Sequence, residues 1–282
     1  MFMSLIQIKE KIHLNELNLF SAASLASIEY NLNKGSPRMK TKKMKTKISE
    51  LETEIVEWLV ESSKRQAEQL CERARKRLYE IIEACRRTGY RFISSTGKLI
   101  EARLNSRGFS GSRTFGYTLF EIGLEFDPYL NLPVIPGSSI KGAIRSAWKA
   151  LELGEGEEVI FGGRESMGSC IFSDAFPIEP NPDGFILYPD VITPHYHNDI
   201  MDETRAEPRP VTYLTIAPGV KFGFVIAVDG ALSSDLFRKL ISALTLAFKI
   251  GLGAKTSIGY GVFTITNLNI QQSGRDVSWK RL

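Results

Sequence analysis

The fold is decided by two consecutive patterns, residues 120–127 with the sequence FEIGLEFD and residues 136–151 with the sequence PGSSIKGAIRSAWKAL. In the first, apolar residues occupy alternate positions, as in a strand with one buried face. In the second, apolar residues recur every three or four positions, at Ile140, Ala143, Ile144, Ala147 and Leu151. This spacing predicts an amphipathic helix, opened by Pro136-Gly137-Ser138-Ser139. A strand is therefore expected to lead into a helix.

The same arrangement recurs near the end of the chain. Residues 222–228 alternate as a strand, Ser233-Ser234-Asp235 caps a helix, and the helix stripe is formed by Leu236, Leu240, Leu244 and Phe248. Strand-like segments at 169–176, 185–192 and 211–216 separate the two units, and a final strand is expected at 258–268. The resulting β-α-β-β-α-β order predicts an α+β, ferredoxin-like (RRM-type) fold. Pro- and Gly-rich stretches at 177–184 and 194–219 are expected to be long loop insertions.

A helical region precedes this domain. Apolar residues fall at 48, 51, 55 and 59 and then at 67, 70, 74, 78, 81 and 85, each series at helical spacing. Ser62-Ser63 interrupts the stripe and predicts a register adjustment or a break into two helices. The expected organisation is an arm and basic linker (1–47), a helical region (48–92), the ferredoxin-like domain (100–270) and a C-terminal tail (271–282).

Composition excludes several classes of protein. With 282 residues, 43% hydrophobic and 24% charged, the chain is neither largely disordered nor fibrous. It has no run of about 18 apolar residues for a membrane helix, and Lys9, Glu10, Lys11 and Glu16 interrupt any signal peptide. A soluble, cytoplasmic protein without membrane contact is expected. The three cysteines form no CxxC pair, so neither a disulfide nor a thiolate metal site is predicted.

The positive charge is concentrated near the N-terminus. The net charge is +4, and a stretch without acidic residues carries Lys34, Arg38, Lys40, Lys42, Lys43, Lys45 and Lys47. Such a run predicts a mobile segment that makes nonspecific contacts with an anionic polymer such as RNA. A solvated linker is the alternative.

A glycine-rich segment lies between the last helix and the last strand. Its four glycines are Gly251, Gly253, Gly259 and Gly261. Glycines let backbone N–H groups approach a phosphate, whose charge Lys255 could neutralise beside Thr256 and Ser257. The segment is not a Walker motif, because Ala254 precedes Lys255, and it does not follow a strand as the dinucleotide fingerprint should. A tight helix-to-strand turn is the alternative.

The start of the first predicted helix is a second candidate phosphate site. Ser138 and Ser139 lie where unpaired N–H groups and the helix dipole favour an anion. Lys141 and Arg145 follow on one helix face, where they could hold a phosphate together. A plain N-cap with two solvated cations is the alternative.

The histidines give little support for metal binding or catalysis. His195 and His197, with Asp202 and Glu203 nearby, have alternate spacing but no cysteine or third well-placed histidine beside them. His13 is a weak candidate for a general base. We therefore predict neither a metal nor a cofactor.

Several segments resemble one known family. Residues 132–146 resemble the PxIPGSSxKGxxR segment of RAMP proteins, the repeat-associated subunits of CRISPR effector complexes, and residues 251–261 resemble their C-terminal glycine-rich loop. Phe161-Gly162, residues 171–175 and residues 190–196 are similar to the sixth-subunit family of the Cmr (type III-B) branch. The resemblance spans residues 104–268, although the family's compact glycine turn is here a longer segment, Arg107–Arg113.

The resemblance implies a non-catalytic, CRISPR RNA-binding subunit that caps an antiviral effector filament near the 3′ end of the guide RNA. Its implied partners are the guide RNA, the target RNA in the assembled complex, and other Cmr subunits including backbone RAMP proteins. The residues implied to contact RNA are Ser138, Ser139, Lys141, Arg145, Gly251, Gly253, Lys255, Thr256, Ser257 and Gly259. Two alternatives remain: a RAMP endoribonuclease that processes CRISPR RNA, with His13 as base, and a type III-A (Csm) RAMP subunit.

Overall fold

The computed structural model describes residues 21, 42–93, 99–111, 124–192, 211–230, 232–272 and 275–278. The helices are α1 (Lys42–Arg87), α2 (Gly137–Ala150), α3 (Glu157–Phe161) and α4 (Ser234–Ile250). The strands up to residue 192 are β1 (Arg91–Phe92), β2 (Ile100–Leu104), β3 (Phe126–Asp127), β4 (Leu132–Pro133), β5 (Cys170–Phe172), β6 (Phe176–Glu179) and β7 (Leu187–Ile192). The later strands are β8 (Val211–Ile216), β9 (Lys221–Phe224), β10 (Ile226–Val228), β11 (Phe263–Ile265), β12 (Asn269–Gln272) and β13 (Arg275–Ser278).

A four-stranded antiparallel sheet organises the domain, with the strand order β11-β2-β9-β6. Helix α2 lies in the connection from β2 to β6, and α4 lies in the connection from β9 to β11. Two smaller units flank the sheet: a three-stranded sheet of order β1-β10-β5, and the hairpin β7-β8.

One face of the four-stranded sheet packs on α4, and α2 packs against α4 in turn. Phe222 and Phe224 of β9 point into this core, where Phe224 stacks on Phe248 of α4 with ring centroids 5.2 Å apart. Phe222 meets Phe263 of β11 edge to face at 5.7 Å. Each such side chain contributes roughly 1.5–3 kcal/mol when it is fully removed from water. The sheet's aromatic side chains are therefore part of the core.

Helix α1 covers part of the opposite face. Gly223 of β9 lies under this helix: a β-carbon added to it would be 3.2 Å from Leu78 and 2.9 Å from Ile178. Leu78 is fully buried, and the serines at 62 and 63 are buried as well. The helix therefore continues without a break, because its buried stripe includes small hydroxyl side chains where the apolar pattern lapses.

Two expectations about the N-terminal region need correction. The helix begins at Lys42, six residues before position 48, so Lys42, Lys43, Lys45 and Lys47 lie on a helix and not in a mobile linker. Lysines have good helix propensity, and the following turns supply the buried stripe that anchors the helix. Lys34, Arg38 and Lys40 lie outside the described residues.

The expected single strand over 222–228 is two strands in different sheets. Val225 separates them, and it is buried together with its neighbours Phe224 and Ile226. Its N–H donates to Ser173 Oγ at 2.8 Å, and its carbonyl accepts from the Ser173 N–H at 3.0 Å. The backbone thus passes from the four-stranded sheet to the three-stranded sheet at Val225.

Other boundaries also differ from those expected. The strand expected at 258–268 is confined to Phe263–Ile265, and Thr256–Ile258 before it form a 3-10 turn. The loop expected at 177–184 begins inside β6, where Pro177 is tolerated because β6 is at the sheet edge. The hairpin β12-β13 begins at Asn269, before the expected domain end at 270, and continues into the expected C-terminal tail.

Some expectations concern undescribed parts of the chain. Of the strand expected at 120–127, residues 120–123 lie outside the described residues, and so do residues 194–210 of the loop expected at 194–219. Within the described part of the chain, no helix has the length and apolar character needed to cross a membrane.

Candidate nucleic-acid interface

A groove of about 410 Å³ joins the two predicted phosphate sites. One wall is the start of α2, through Pro136, Ser139, Gly142 and Ala143. The facing wall is the glycine-rich loop, through Gly251, Gly253, Ala254 and Thr256. The third side is formed by Ser110, Gly111, Glu125 and Ile135. Most of the lining side chains are small, so a polymer backbone could approach the protein backbone closely.

The glycine-rich loop is shaped by close approaches between backbones. A β-carbon on Gly253, whose φ is 93°, would be 2.4 Å from the carbonyl oxygen of Phe109. A β-carbon on Gly261 would be 2.0 Å from the carbonyl oxygen of Leu252. By contrast, Gly259 has open space around it. Glycine is therefore required at 253 and 261 for packing, whereas at 259 only the φ of 90° favours it.

Many N–H groups of this loop already have partners inside the protein. Leu252 donates to the carbonyl of Gly261 at 2.8 Å, Ala254 to that of Phe109 at 2.7 Å, and Gly261 to that of Arg107 at 2.8 Å. Within the described ranges, no backbone acceptor bonds the N–H groups of Thr256 and Ser257 at the start of the 3-10 turn. The N–H groups left for a ligand are thus those of Thr256, which lines the groove, and of Ser257, which is exposed at the tip of the loop.

The start of α2 already has an anionic neighbour. Its N-cap is Pro136, so the helix has no serine N-cap, and the side chains of Ser138 and Ser139 are exposed. The N–H of Gly137 donates to Asp174 Oδ1 at 2.7 Å. A β-carbon on Gly137 would be 2.3 Å from the carbonyl oxygen of Phe172, which fixes the helix start against β5. Asp174 therefore occupies part of the helix N-terminus, and Ser139 is the hydroxyl that lines the groove.

The two predicted cations of α2 do not line the groove. Arg145 Nε donates to Glu157 Oε1 of α3 at 2.6 Å, and Lys149 Nζ lies 3.5 Å from the same oxygen. The hydrogen bond from Arg145 lowers the pKa of Glu157. Lys141 has no ion-pair partner among the described side chains. Of these cations, it is the one best available to a ligand.

Lys255 is turned towards a cluster of aromatic rings. Its Nζ donates to the hydroxyl of Tyr213 at 2.8 Å and lies 4.0 Å from the centre of that ring. The rings of Phe109 and Tyr260 lie 5.6 and 5.7 Å away. Burial lowers the pKa of Lys255, partly offset by the charge of Asp190. Its position implies that it fixes the loop, whereas the expectation was that it holds a phosphate.

Asp190 of β7 is the centre of this cluster. Its carboxylate accepts from Arg107, from the hydroxyl of Tyr260, from the hydroxyl of Tyr213 at 3.2 Å and from the N–H of Val191 at 2.9 Å. Burial by itself raises the pKa of Asp190, but the hydrogen bonds from Tyr260, Val191 and Arg107, with the charge of Arg107, outweigh burial and hold the pKa below its usual value. Burial and the bonds to Tyr260 and Asp190 raise the pKa of Tyr213. The network ties the glycine-rich loop to the hairpin β7-β8.

Sequence reasoning missed the role of several residues here. Ser110, Gly111 and Glu125 line the groove; the first two were noted only as part of the segment Arg107–Arg113, and no local motif marks Glu125. Asp190 and Tyr260 were noted only as members of family-like segments, since a contact across 70 residues leaves no local signal.

The histidines lie outside the described residues. These are His13, the candidate general base, and His195 and His197, which with Asp202 and Glu203 were considered as metal ligands. Among the residues that are described, no three His, Cys, Asp or Glu side chains cluster as they would around a metal ion.

Comparisons with known proteins give the family. The RAMP superfamily profile matches residues 92–264, and the chain belongs to this superfamily. It is 36% identical to the CRISPR system CMR subunit Cmr6 of Saccharolobus solfataricus, over 94% of this chain and 96% of the relative. It is 29% identical to the CRISPR system Cms endoribonuclease Csm3 of Methanothermobacter thermautotrophicus, over 52% of this chain and 72% of that protein. A chain in the cryo-EM structure of the Type III-B Cmr-beta bound to cognate target RNA matches with a TM-score of 0.74 and 33% identity, over 93% of this chain and 94% of the other.

Proposed function

We propose that this chain is an RNA-binding subunit of a type III-B (Cmr) antiviral effector complex. Its similarity to Cmr6 over nearly the full length of both chains supports this, as does its similarity to a chain of a Cmr complex bound to target RNA. Its partners are then the guide CRISPR RNA, the target RNA and other Cmr subunits, including backbone RAMP proteins. Its place is the end of the filament near the 3′ end of the guide, in the cytoplasm.

The fold proposed for this role is ferredoxin-like. The central sheet has the strand order β11-β2-β9-β6, all antiparallel; α2 and the short α3 lie in the connection from β2 to β6, and α4 lies in the connection from β9 to β11. This is the element order β-α-β-β-α-β. Because α1 covers part of the sheet surface away from α2 and α4, the proposed RNA site is the groove and not the sheet face.

The groove between α2 and the glycine-rich loop is the observation that carries the proposal. It brings together two segments more than 100 residues apart in the chain. Ser139 and Thr256 supply hydroxyl groups, and Gly142, Gly251 and Gly253 leave room for a sugar-phosphate backbone. Contacts of this kind fix the position of an RNA strand without reading its bases. Lys141 is proposed as a flanking cation.

We also propose that the subunit binds RNA without cutting it. Metal-independent cleavage needs a general base close to the attacking hydroxyl and an acid for the leaving oxygen. The groove lining contains one ionisable side chain, that of Glu125. No second carboxylate and no imidazole is among the lining residues to act as its acid or base partner. Hydroxyl and N–H donors stabilise a bound phosphate but activate no nucleophile.

Assembly is tested by purifying the tagged chain from its native host and sequencing the RNA that co-purifies. We expect other RAMP subunits and guide RNAs that share repeat-derived sequence. Recovery of the chain without RNA or RAMP subunits would contradict the proposal.

A cleavage assay tests the endoribonuclease alternative. Purified protein is incubated with labelled CRISPR repeat RNA and with target RNA, in magnesium, manganese or chelator, and both RNAs are expected to stay intact. Site-specific cleavage that is lost in His13→Ala or His195→Ala would favour the nuclease.

A further inference from the structure

Cations and aromatic rings form a row on the surface beside the glycine-rich loop. The row consists of Lys64 of α1, Phe185, Tyr188 of β7 and Arg107, in that spatial order. Lys64 Nζ lies 4.0 Å from the centre of the Phe185 ring, and the rings of Phe185 and Tyr188 meet edge to face at 6.3 Å. The Arg107 guanidinium lies 5.6 Å from the centre of the Tyr188 ring. We call these four residues the cation–aromatic row.

The row is accessible and its backbone is fixed. Tyr188 is 39% exposed, and the Arg107 side chain is 40% exposed although it is paired with Asp190. The carbonyl of Tyr188 accepts from Thr215 Oγ1 at 3.0 Å across the β7-β8 hairpin. A ring presented by a paired strand loses little freedom when a flat ligand stacks on it.

The row is continuous with the proposed RNA groove. The carbonyl of Arg107 accepts from the N–H of Gly261 at 2.8 Å, so the end of the row is bonded to the glycine-rich loop. Ser110 and Gly111, a few residues further along the chain, line the groove itself. An RNA strand that leaves the groove along residues 107–111 would meet Arg107 and then Tyr188.

We propose that the cation–aromatic row is a second RNA contact, at which a nucleobase of single-stranded RNA stacks on Tyr188. Stacking platforms of this kind combine an aromatic face with cations that hold the backbone, and they accept any base because every base has a π-face. Lys64 supplies such a cation at one end of the row, whereas Arg107 at the other end is paired with Asp190 and leaves part of its side chain exposed beside the Tyr188 ring. The inference rests on the proposed function, because it extends the path of the same RNA beyond the groove.

The test compares aromatic and aliphatic side chains of similar size at position 188. The affinity of the full-length chain for a single-stranded CRISPR RNA is measured for Tyr188→Phe and Tyr188→Leu, with thermal unfolding as a check on folding. Tyr188→Leu should weaken binding about tenfold, whereas Tyr188→Phe should bind within about twofold of the unmodified protein, because only the leucine lacks a π-face. Val191→Leu, an exposed position in the same strand, should change nothing.

A cross-linking readout separates stacking from a structural effect. RNA with 5-bromouridine at successive positions is irradiated with the full-length chain, and the cross-linked residue is identified by mass spectrometry. A cross-link to Tyr188 is expected, and Tyr188→Leu should abolish it while leaving cross-links in the groove.

The outcomes distinguish the two proposals. Unchanged affinity in Tyr188→Leu, with no cross-link at position 188, overturns the stacking site even if groove variants lose RNA. A Tyr188→Leu protein that binds RNA normally but fails to join other subunits makes the row a protein contact and also overturns it. No RNA binding by the unmodified chain overturns both proposals.

Discussion

Gly253 lies against the carbonyl group of Phe109, so closely that a β-carbon on Gly253 would be 2.4 Å from that oxygen. The next residue, Ala254, donates its N–H to the same oxygen at 2.7 Å. These contacts attach the glycine-rich loop to the segment after β2. The floor of the groove is therefore a backbone-to-backbone junction, and a side chain there would separate its two parts.

The first prediction compares two glycines of this loop. Gly253→Ala should destabilise the protein by more than about 2 kcal/mol, since it adds a clash to an unfavourable φ of 93°. Gly259→Ala, with a similar φ of 90° but open space, should cost only about 1 kcal/mol. Urea unfolding of both variants measures the difference. Equal losses would mean that the approach to Phe109 is unimportant.

The second prediction concerns Gly142, which lies within α2 and has no atom near its missing β-carbon. Gly142→Ala should stabilise the protein by about 0.5–1 kcal/mol, because alanine has the better helix propensity. Thermal and urea unfolding measure this. A loss of stability would show that the position is more crowded than the structure indicates.

The third prediction concerns the packing of α1 on the sheet. Leu78→Ala should cost about 2–5 kcal/mol, because it leaves a cavity beside Gly223 and Ile178. Its neighbour Tyr79 is 48% exposed, and Tyr79→Ala should cost less than about 1 kcal/mol. If both variants unfold at the same urea concentration as the unmodified protein, α1 does not contribute to the stability of the domain.

The fourth prediction concerns the pH dependence caused by Asp190. Because its pKa is lower in the folded protein than in the unfolded chain, Asp190 stabilises the fold above the ordinary aspartate value of about 3.9, and this stability is lost as the pH falls through the lower folded pKa. Asp190→Asn should cost about 2–3 kcal/mol at pH 7 and flatten the decline in acid. Both effects are measured by the free energy of unfolding between about pH 2 and about pH 7. Parallel pH profiles for the two proteins would refute the assignment.

Some of the fold follows from local pattern. The stripes of α2 and α4 are long and regular, and both helices lie within a residue or two of the expected places. Strand β2 could have been found from the alternation of Ile100, Ala102 and Leu104, which are all buried. The division of 222–228 between two sheets could not, because it depends on Ser173, about fifty residues earlier.

The candidate site shows the same limit. The sequence pointed to the helix start and to the glycine-rich loop, and the structure joins them in one groove. It could not indicate that Arg145 pairs with Glu157 or that Lys255 turns towards Tyr213. Tertiary packing decides which partner a side chain contacts. The residue type of a cation therefore predicts its charge but not its partner.

Whether the groove binds RNA is decided by the affinity of full-length Gly142→Glu for single-stranded CRISPR RNA. The glutamate has space on the helix, so the fold should be retained, while its charge and bulk enter the groove. The matched control is Ser242→Glu, which adds the same charge at an exposed position of α4. We expect Gly142→Glu to weaken binding at least about tenfold, and Ser242→Glu, which lowers the general positive charge equally, to change the affinity little. Equal affinities for the two variants across a range of salt concentrations would show that RNA does not bind in the groove.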